Sequence, residues 1–197
     1  MSNTTEKTRM LAFMGILTAI VAVLQWMASV IAFGPFSITL ALSPIIIGAA
    51  IYDWKAGAWL GTVFGIVVLL TNAQAFLAVS IPATIIVCIL KGALAGAAAS
   101  VVYKLLERKN TYVAVIAAAI VCPIVNTGVF LLGCLVFFYD TVSSWVDPEK
   151  YASVGAFMIL GLVGINFVVE LITNLFLSTV IVRILNIVKK PVAQVQG

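Results

Sequence analysis

The stretch VGAFMILGLVGINFVVELITNLFLSTVIVRILNIV, residues 154–188, decides the fold. It is long and apolar enough to cross a membrane, because a hydrocarbon core of about 30 Å requires about 20 apolar residues. Glu170 lies inside it, with Asn166 four residues before and Asn174 four residues after. At about 3.6 residues per turn, these three side chains share one helix face. A carboxylate at that depth costs about 3 kcal/mol on insertion scales, so Glu170 indicates a functional role.

The composition of the whole chain is that of an integral membrane protein. Hydrophobic residues make up 63% of the 197 residues and charged residues only 9%, far outside the range of soluble domains. We therefore predict an all-α fold, a bundle of six transmembrane helices that forms one domain over residues 1–197. The predicted spans are 9–32, 38–53, 55–71, 81–106, 111–138 and 154–188.

The basic residues predict the orientation of this bundle. With the N-terminus in the cytoplasm, nine lysines and arginines lie inside, Lys150 alone lies outside, and Lys91 is within the membrane. The positive-inside rule then places both termini in the cytoplasm. Because the net charge of +4 is explained by topology, we expect no nucleic-acid partner.

The sequence lacks the residues of most catalytic and metal sites. It has no histidine and no CxxC motif, and its three cysteines all lie in apolar segments. It also has no nucleophile elbow, zincin motif or P-loop. We therefore expect no enzyme activity, metal or cofactor, and any ATP-driven role would require partner subunits.

Polar residues gather at one depth of the predicted bundle. Lys91 is 13 residues from Lys104, Glu170 is 13 from Arg183, and Asn126 is 14 from Tyr112. At about 1.5 Å per residue, each lies about 20 Å from the inner surface. The residues placed in this outer half are Lys91, Asn126, Asn166, Glu170, Gln25 and Asn72. The distribution predicts a pocket open to the outside and closed below, not a continuous pore.

Two interpretations of Lys91 and Glu170 remain open. In one, the two charges only neutralise each other inside the bundle. In the other, they line a site for a small polar or anionic solute together with Asn126 and Asn166. Both can hold, because an ion pair can form the floor of a pocket.

Small residues recur at four-residue spacing on three spans. Gly57, Gly61 and Gly65 form a GxxxGxxxG stripe on the third span, and Gly92, Gly96 and Ser100 repeat the pattern on the fourth. Such stripes let helix backbones approach closely in a membrane. A similar pair, Gly15 and Ala19, lies on the first span, where it could dock another membrane protein.

Two further stretches carry a family resemblance. The first is ITLALSPIIIGA at 38–49, which runs into WKAGA at 54–58 and GTVFG at 61–65, and the second is PIVNTG at 123–128. With the size and the six predicted spans, they resemble the substrate-binding (S) components of energy-coupling factor (ECF) vitamin transporters, in the folate/pantothenate-type branch. Asp53-Trp54 stands where that branch usually has Gly-Pro.

The resemblance implies a prokaryotic plasma-membrane protein that works with a membrane T component and two ABC-type ATPases. It implies that Gly15 and Ala19 contact the T component. It also implies a gating loop over an outward pocket, formed by Phe33, Gly34, Pro35, Phe36 and Ser37. The whole S component would reorient in the bilayer to release its vitamin inside.

These inferences lead to one expected function and two rivals. We expect a binding subunit for a small water-soluble vitamin, with pantothenate favoured over folate, riboflavin or a related vitamin. The first rival is a stand-alone secondary carrier that uses Glu170 as its proton site. The second is a non-transporting scaffold in which the polar layer only joins the helices.

Overall fold

The computed structural model describes residues 2–30, 32–33, 36–37 and 40–188, with side chains from residue 7 onward outside the short strands. The predicted all-α membrane fold is confirmed. In chain order, the elements are α1 (Ser2–Val30), β1 (Ala32–Phe33), β2 (Phe36–Ser37), α2 (Leu42–Ile51), α3 (Trp54–Thr71), α4 (Gln74–Leu77), α5 (Ile81–Leu106), α6 (Thr111–Phe137), α7 (Tyr139–Ser144), α8 (Val154–Ala156), a π-helical segment (Phe157–Val163) and α9 (Gly164–Val188).

The number of full-length spans differs from the predicted six. Five stretches within the described residues are long and apolar enough to cross a membrane, the last being Val154–Val188. The predicted span 38–53 instead contains α2, a helix of ten residues. Ten residues extend only about 15 Å, roughly half of a hydrocarbon core. Pro44 lies in the first turn of this helix, where its missing N–H has no helical partner to lose.

The short helix α2 forms the centre of the bundle. Its residues 42–50 are all buried, and it contacts α1, α3, α5, α6 and α9. The Ser100 hydroxyl on α5 donates a hydrogen bond to the Ala49 carbonyl at 2.9 Å. A half-length helix is stable at this position because its neighbours, rather than lipid, surround it.

Local sequence signals account for the ends of the long helices. The Asp53 carboxylate accepts a hydrogen bond from the Ala56 amide at 3.0 Å and caps α3. The Asn110 side chain accepts from the Tyr112 and Val113 amides and caps α6. Pro82 lies in the first turn of α5, where its missing N–H has no helical partner to lose.

The glycine stripes of the third and fourth predicted spans pack against each other. A Cβ atom on Gly57, Gly61 or Gly65 would collide with backbone carbonyls of α5, at Gly96, Gly92 and Cys88 respectively. The backbones of α3 and α5 therefore touch along three turns, which requires residues without side chains. This contact fixes the register of Lys91, which precedes Gly92 on α5.

The last span is interrupted where the sequence suggested one helix. Residues Phe157–Val163 are π-helical, and Gly164 has a φ of +39°. This conformation is strained for residues with a Cβ atom, so glycine permits it. Gly164 lies two residues before Asn166, and π-helical turns are frequent at functional sites.

The predicted gating loop falls partly on described residues. Strands β1 and β2 pair antiparallel, with Ala32 opposite Ser37 and Phe33 opposite Phe36. Strand β2 lies against α9. Gly34 and Pro35 lie outside the described residues, and gating by this segment stays a prediction.

Candidate functional site

A small cavity lies between α5, α6 and the last span. Its volume is about 130 Å³. Its lining comprises Lys91, Asn126, Thr127, Phe130, Leu162, Val163, Asn166, Phe167 and Glu170. Four polar residues that the sequence placed in the outer half of the bundle, on three helices, therefore meet in one place. These four are Lys91, Asn126, Asn166 and Glu170, and we call this space the polar cavity.

The Lys91 ammonium is held by aromatic rings. Its Nζ atom lies 5.3 Å from the centroid of Phe130 on α6 and 5.8 Å from that of Phe64 on α3. Both distances fall within the range of cation–π attraction. Lys91 and Glu170 interact electrostatically, but within the described part of the chain they form no direct ion pair. The ammonium therefore keeps its hydrogen-bond donors available to the cavity.

Two oxygen atoms of the polar cavity are buried and have no hydrogen-bond partner among the described residues. They are Asn126 Oδ1 and Glu170 Oε1. Asn126 is a buried residue, only 7% exposed. A buried acceptor without a donor costs about 1–3 kcal/mol, so these atoms make the polar cavity the candidate site.

A hydrogen-bonded chain fixes the helix that carries Glu170. The Asn174 side-chain amide donates to the Glu170 carbonyl at 2.9 Å. Its oxygen accepts from the Ser43 hydroxyl on α2 at 3.3 Å. Asn174 is completely buried, so the third member of the sequence-predicted polar face joins α9 to α2 instead of lining the cavity.

A cluster of aromatic rings lies beside the polar cavity. Phe76 on α4 contacts Phe130, Phe138 and Trp145 edge-on, with centroid distances of 5.7, 5.0 and 5.5 Å. Because Phe130 also faces Lys91, these contacts connect the cavity to Trp145 after α7. Offset and edge-to-face ring pairs stabilise beyond their buried area, so the cluster holds the short helices α4 and α7 against the bundle.

Two predicted site residues lie elsewhere. Gln25 is buried on α1 with Oε1 unpartnered, but it does not line the polar cavity. Asn72 is exposed after α3, and its side chain accepts a hydrogen bond from the Thr71 hydroxyl at 2.7 Å. Counting residues gave their height along a helix but not the direction in which each side chain points.

The predicted docking pair on α1 is exposed. Gly15 and Ala19 both lie on the surface, and a Cβ atom on Gly15 would meet nothing within 4 Å. The pair is therefore not used for packing within the described part of the chain. Contact with a T component stays a prediction.

Several lining residues were missed from the sequence. Phe130 lies four residues after Asn126 on α6 and shares its side of the helix, a signal that the spacing contained, whereas Thr127 is the next residue along and points about 100° away. Leu162 and Val163 belong to the π-helical segment, which a regular helical period does not predict. The glycines at 161 and 164 were the available sign of a break there.

Among the described residues, no group of His, Cys, Asp or Glu could hold a metal ion.

The comparison with known families agrees with this architecture. The model for "ECF transporter, substrate-specific component" matches residues 9–185, most of the chain. The chain belongs to this family. No curated protein and no solved structure matches it.

Membership in this family confirms the resemblance to ECF S components that the sequence suggested. This S component is a multi-pass membrane protein of a transporter family, not of an enzyme family. The family implies a small-molecule substrate together with a T component and ATPases. The folate/pantothenate branch stays a prediction, as does the identity of the substrate.

Proposed function

We propose that this S component is the binding subunit of an ATP-driven ECF importer for a small water-soluble vitamin. Pantothenate is the first candidate, and folate, riboflavin or a related vitamin are the others. The observation that carries the proposal is the convergence of Lys91, Asn126, Asn166 and Glu170 on one cavity from three helices. In a family of substrate-specific components, such a cavity is the expected place for the solute.

Each of the four side chains has a role in this proposal. The Lys91 ammonium binds a carboxylate or another acceptor of the vitamin, because charge-assisted hydrogen bonds are strong in a site that excludes water. Asn126 and Asn166 give and accept hydrogen bonds. Glu170 accepts a donor of the vitamin or balances the charge of Lys91.

The proposal includes topology and partners. Residues 1–197 form one domain in the plasma membrane of a prokaryote, with both termini in the cytoplasm and the polar cavity nearer the outside. Gly15 and Ala19 contact the T component, and two ABC-type ATPases drive reorientation of the S component. The exposure of both residues on α1 supports this role, and the position of β2 against α9 supports a gate formed by residues 33–37.

Two measurements test the proposal. Tagged protein purified from its native membrane should bring down a T component and two ATPases. Purified protein should also bind one of a panel of water-soluble vitamins, detected by tryptophan fluorescence and by ligand-dependent thermal stabilisation. Purification without ATPases, together with no response to any vitamin, would overturn the proposal.

A second function is favoured by one observation. Glu170 Oε1 is buried and has no hydrogen-bond partner in the part of the chain that the structure describes, and an intramembrane carboxylate of this kind can carry a proton in secondary transport. A proton-coupled carrier would transport its solute in liposomes without partners, driven by a pH gradient. The variant Glu170→Gln would abolish that transport. An ECF importer would be inactive in the same liposomes until the T component, the ATPases and ATP were supplied.

A further inference from the structure

A groove lies where α3 begins and α5 ends, away from the polar cavity. It has a volume of about 630 Å³, within the usual range for sites of small molecules. Its lining comes from Asp53 and Trp54 at the start of α3 and from the stretch between Ser100 and Arg108 at the end of α5. It shares no described lining residue with the polar cavity. We call this space the terminal groove.

The polar wall of the terminal groove is fixed by bonds within the fold. The Lys104 ammonium donates a hydrogen bond to the Ala50 carbonyl at the end of α2, at 3.4 Å. It also forms an ion pair with Glu107, with 3.3 Å between Nζ and Oε1. One turn before Lys104, the Ser100 hydroxyl donates to the Ala49 carbonyl. The wall is therefore in place before any ligand arrives.

The rim of the terminal groove carries charges of both signs. Lys104 and Arg108 supply two cations, and Asp53 and Glu107 supply two carboxylates, so the formal charges of the lining cancel. Arg108 is exposed and makes no ion pair within the described part of the chain. Asp53 is also exposed, and it uses only Oδ1 to cap α3. The groove thus offers one guanidinium and one carboxylate to an occupant.

One side of the terminal groove is open to lipid. Val101 and Leu105 are 50% and 70% exposed, and Leu90 and Leu94 on the same helix are 45% and 46% exposed. At about 100° per residue, these four side chains lie within about 60° of one another and form an apolar stripe about 22 Å long on α5. Exposed apolar side chains on a membrane-spanning helix contact lipid tails. Trp54, at the other side of the groove, is 55% exposed, and tryptophan is enriched at the level of lipid headgroups.

Charge and contact with hydrocarbon together select one class of lipid. A headgroup that joins one phosphate to one primary ammonium matches the guanidinium and the carboxylate of the rim. Arg108 can bind a phosphate through two N–H donors, and the ammonium can donate hydrogen bonds to Asp53. The nitrogen of phosphatidylcholine is fully methylated and has no N–H to donate. Phosphatidylglycerol has no cation to place beside the carboxylates.

We propose that the terminal groove is a binding site for phosphatidylethanolamine from the leaflet at this end of the bundle. The phosphate contacts Arg108, the ammonium contacts Asp53, and one acyl chain lies along the apolar stripe of α5. The site is independent of the proposed substrate, because Lys104 and Lys91 are separated by 13 residues of α5, or about 20 Å. Failure of one proposal therefore leaves the other intact.

Competition between lipids tests the site. The protein would be placed in nanodiscs with equal amounts of phosphatidylethanolamine, phosphatidylcholine and phosphatidylglycerol that carry the same acyl chains. Native mass spectrometry would then count the lipids that stay bound on release. We expect phosphatidylethanolamine to be retained about tenfold more than either of the others, as for one charge-assisted hydrogen bond. Glycerophosphoethanolamine, the headgroup without acyl chains, should not displace it, because the apolar stripe contributes to binding.

Substitutions at the rim locate the headgroup. Arg108→Gln removes the phosphate contact, and Asp53→Asn removes the charge but keeps the oxygen that caps α3. Each should lower the retention of phosphatidylethanolamine about tenfold, and each should unfold near the wild-type temperature. Lys109→Gln and Asp140→Asn are the matched controls, because both residues are exposed and lie outside the groove. They should retain the lipid like the wild type.

Four results would overturn the inference. Equal retention of the three lipids would mean that the groove holds whatever lipid surrounds it. A preference for phosphatidylglycerol would mean that the basic residues attract any anionic headgroup. Retention unchanged in folded Arg108→Gln and Asp53→Asn proteins would place the lipid elsewhere on the surface. Displacement by glycerophosphoethanolamine would identify a site for a soluble molecule instead.

Discussion

The Lys91 ammonium lies 5.3 Å from the centroid of the Phe130 ring. A second ring, Phe64, lies 5.8 Å from the same atom. These rings belong to α6 and α3, which both pack against α5, the helix that carries Lys91. Cation–π attraction compensates part of the cost of placing a charge in the membrane. Because Lys91 forms no direct ion pair with Glu170 among the described residues, its N–H donors can bind a ligand.

The first prediction concerns this cation. Lys91→Met keeps most of the side-chain volume and removes the charge, so it should weaken binding of a vitamin carboxylate at least tenfold. A hydrogen bond to a charged group contributes about 1.5–3 kcal/mol, which corresponds to a factor of ten or more. Binding to purified protein, measured by calorimetry, checks it.

The control for this variant is Lys109→Met, since Lys109 lies in the exposed turn between α5 and α6. It should bind the vitamin like the wild type. Both variants should unfold near the wild-type temperature. Wild-type affinity in folded Lys91→Met protein would remove Lys91 from the site and leave it a structural role between two rings.

The sequence predicted the polar cavity through depth alone. Lys91, Asn126 and Glu170 lie at similar distances from their cytoplasmic anchors, and helices of the same bundle bring residues of equal height together. The same count also selected Gln25 and Asn72, which lie elsewhere. The height of a residue along its helix does not determine the direction in which its side chain points. That direction depends on how the helix is rotated and packed, and residue spacing in an all-apolar helix does not reveal the rotation.

The fold was predictable where a local signal existed. The glycine stripes predicted close helix packing on the third and fourth spans, and the structure shows that they pack against each other. The half-length of α2 was not predictable, because a buried half-span and a full span are equally apolar. The π-helical segment was not predictable either, because a π-helical turn contains more residues than an α-helical turn but can have the same composition.

The second prediction concerns the contact of α3 with α5. Gly61→Ala places a methyl group against the Gly92 carbonyl, a backbone atom that cannot move aside alone. We expect a loss of about 2 kcal/mol or more in the free energy of unfolding, as for overpacked cores. Unfolding of the purified protein in a denaturing detergent would measure it. Gly15→Ala, where the methyl group has open space, should be neutral or slightly stabilising.

The third prediction concerns the hydrogen bond between Ser43 and Asn174. A double-mutant cycle of Ser43→Ala and Asn174→Ala should give a coupling free energy of about 0.6 kcal/mol, the average for hydrogen bonds between membrane helices, and no more than about 1.7 kcal/mol. Both residues lie outside the polar cavity, so vitamin affinity should change less than stability. A coupling near zero would show that the 3.3 Å contact contributes nothing to the packing of α2 against α9.

The fourth prediction uses the aromatic contacts from Trp145 to the cavity. A ligand at Lys91 will displace Phe130, and the movement will reach Trp145 through Phe76. Ligand binding should therefore change tryptophan fluorescence in the wild type, and Trp145→Phe should lose most of that change with affinity preserved, as shown by calorimetry. Trp54→Phe, at the start of α3, should retain the signal. A full signal in Trp145→Phe protein would place the reporter elsewhere.

The fifth prediction separates binding from transport. Replacing Gly15 and Ala19 by leucine adds bulk to an exposed face of α1, where a Cβ atom at Gly15 meets nothing. The fold and the polar cavity should therefore be unaffected, and purified protein should bind its vitamin with wild-type affinity. ATP-driven uptake with the T component and ATPases should fall at least tenfold, because the two leucines prevent close approach of helices. Val136→Phe, which adds bulk to α6, should transport normally. Loss of vitamin binding in the leucine variant would show that the small pair serves folding instead.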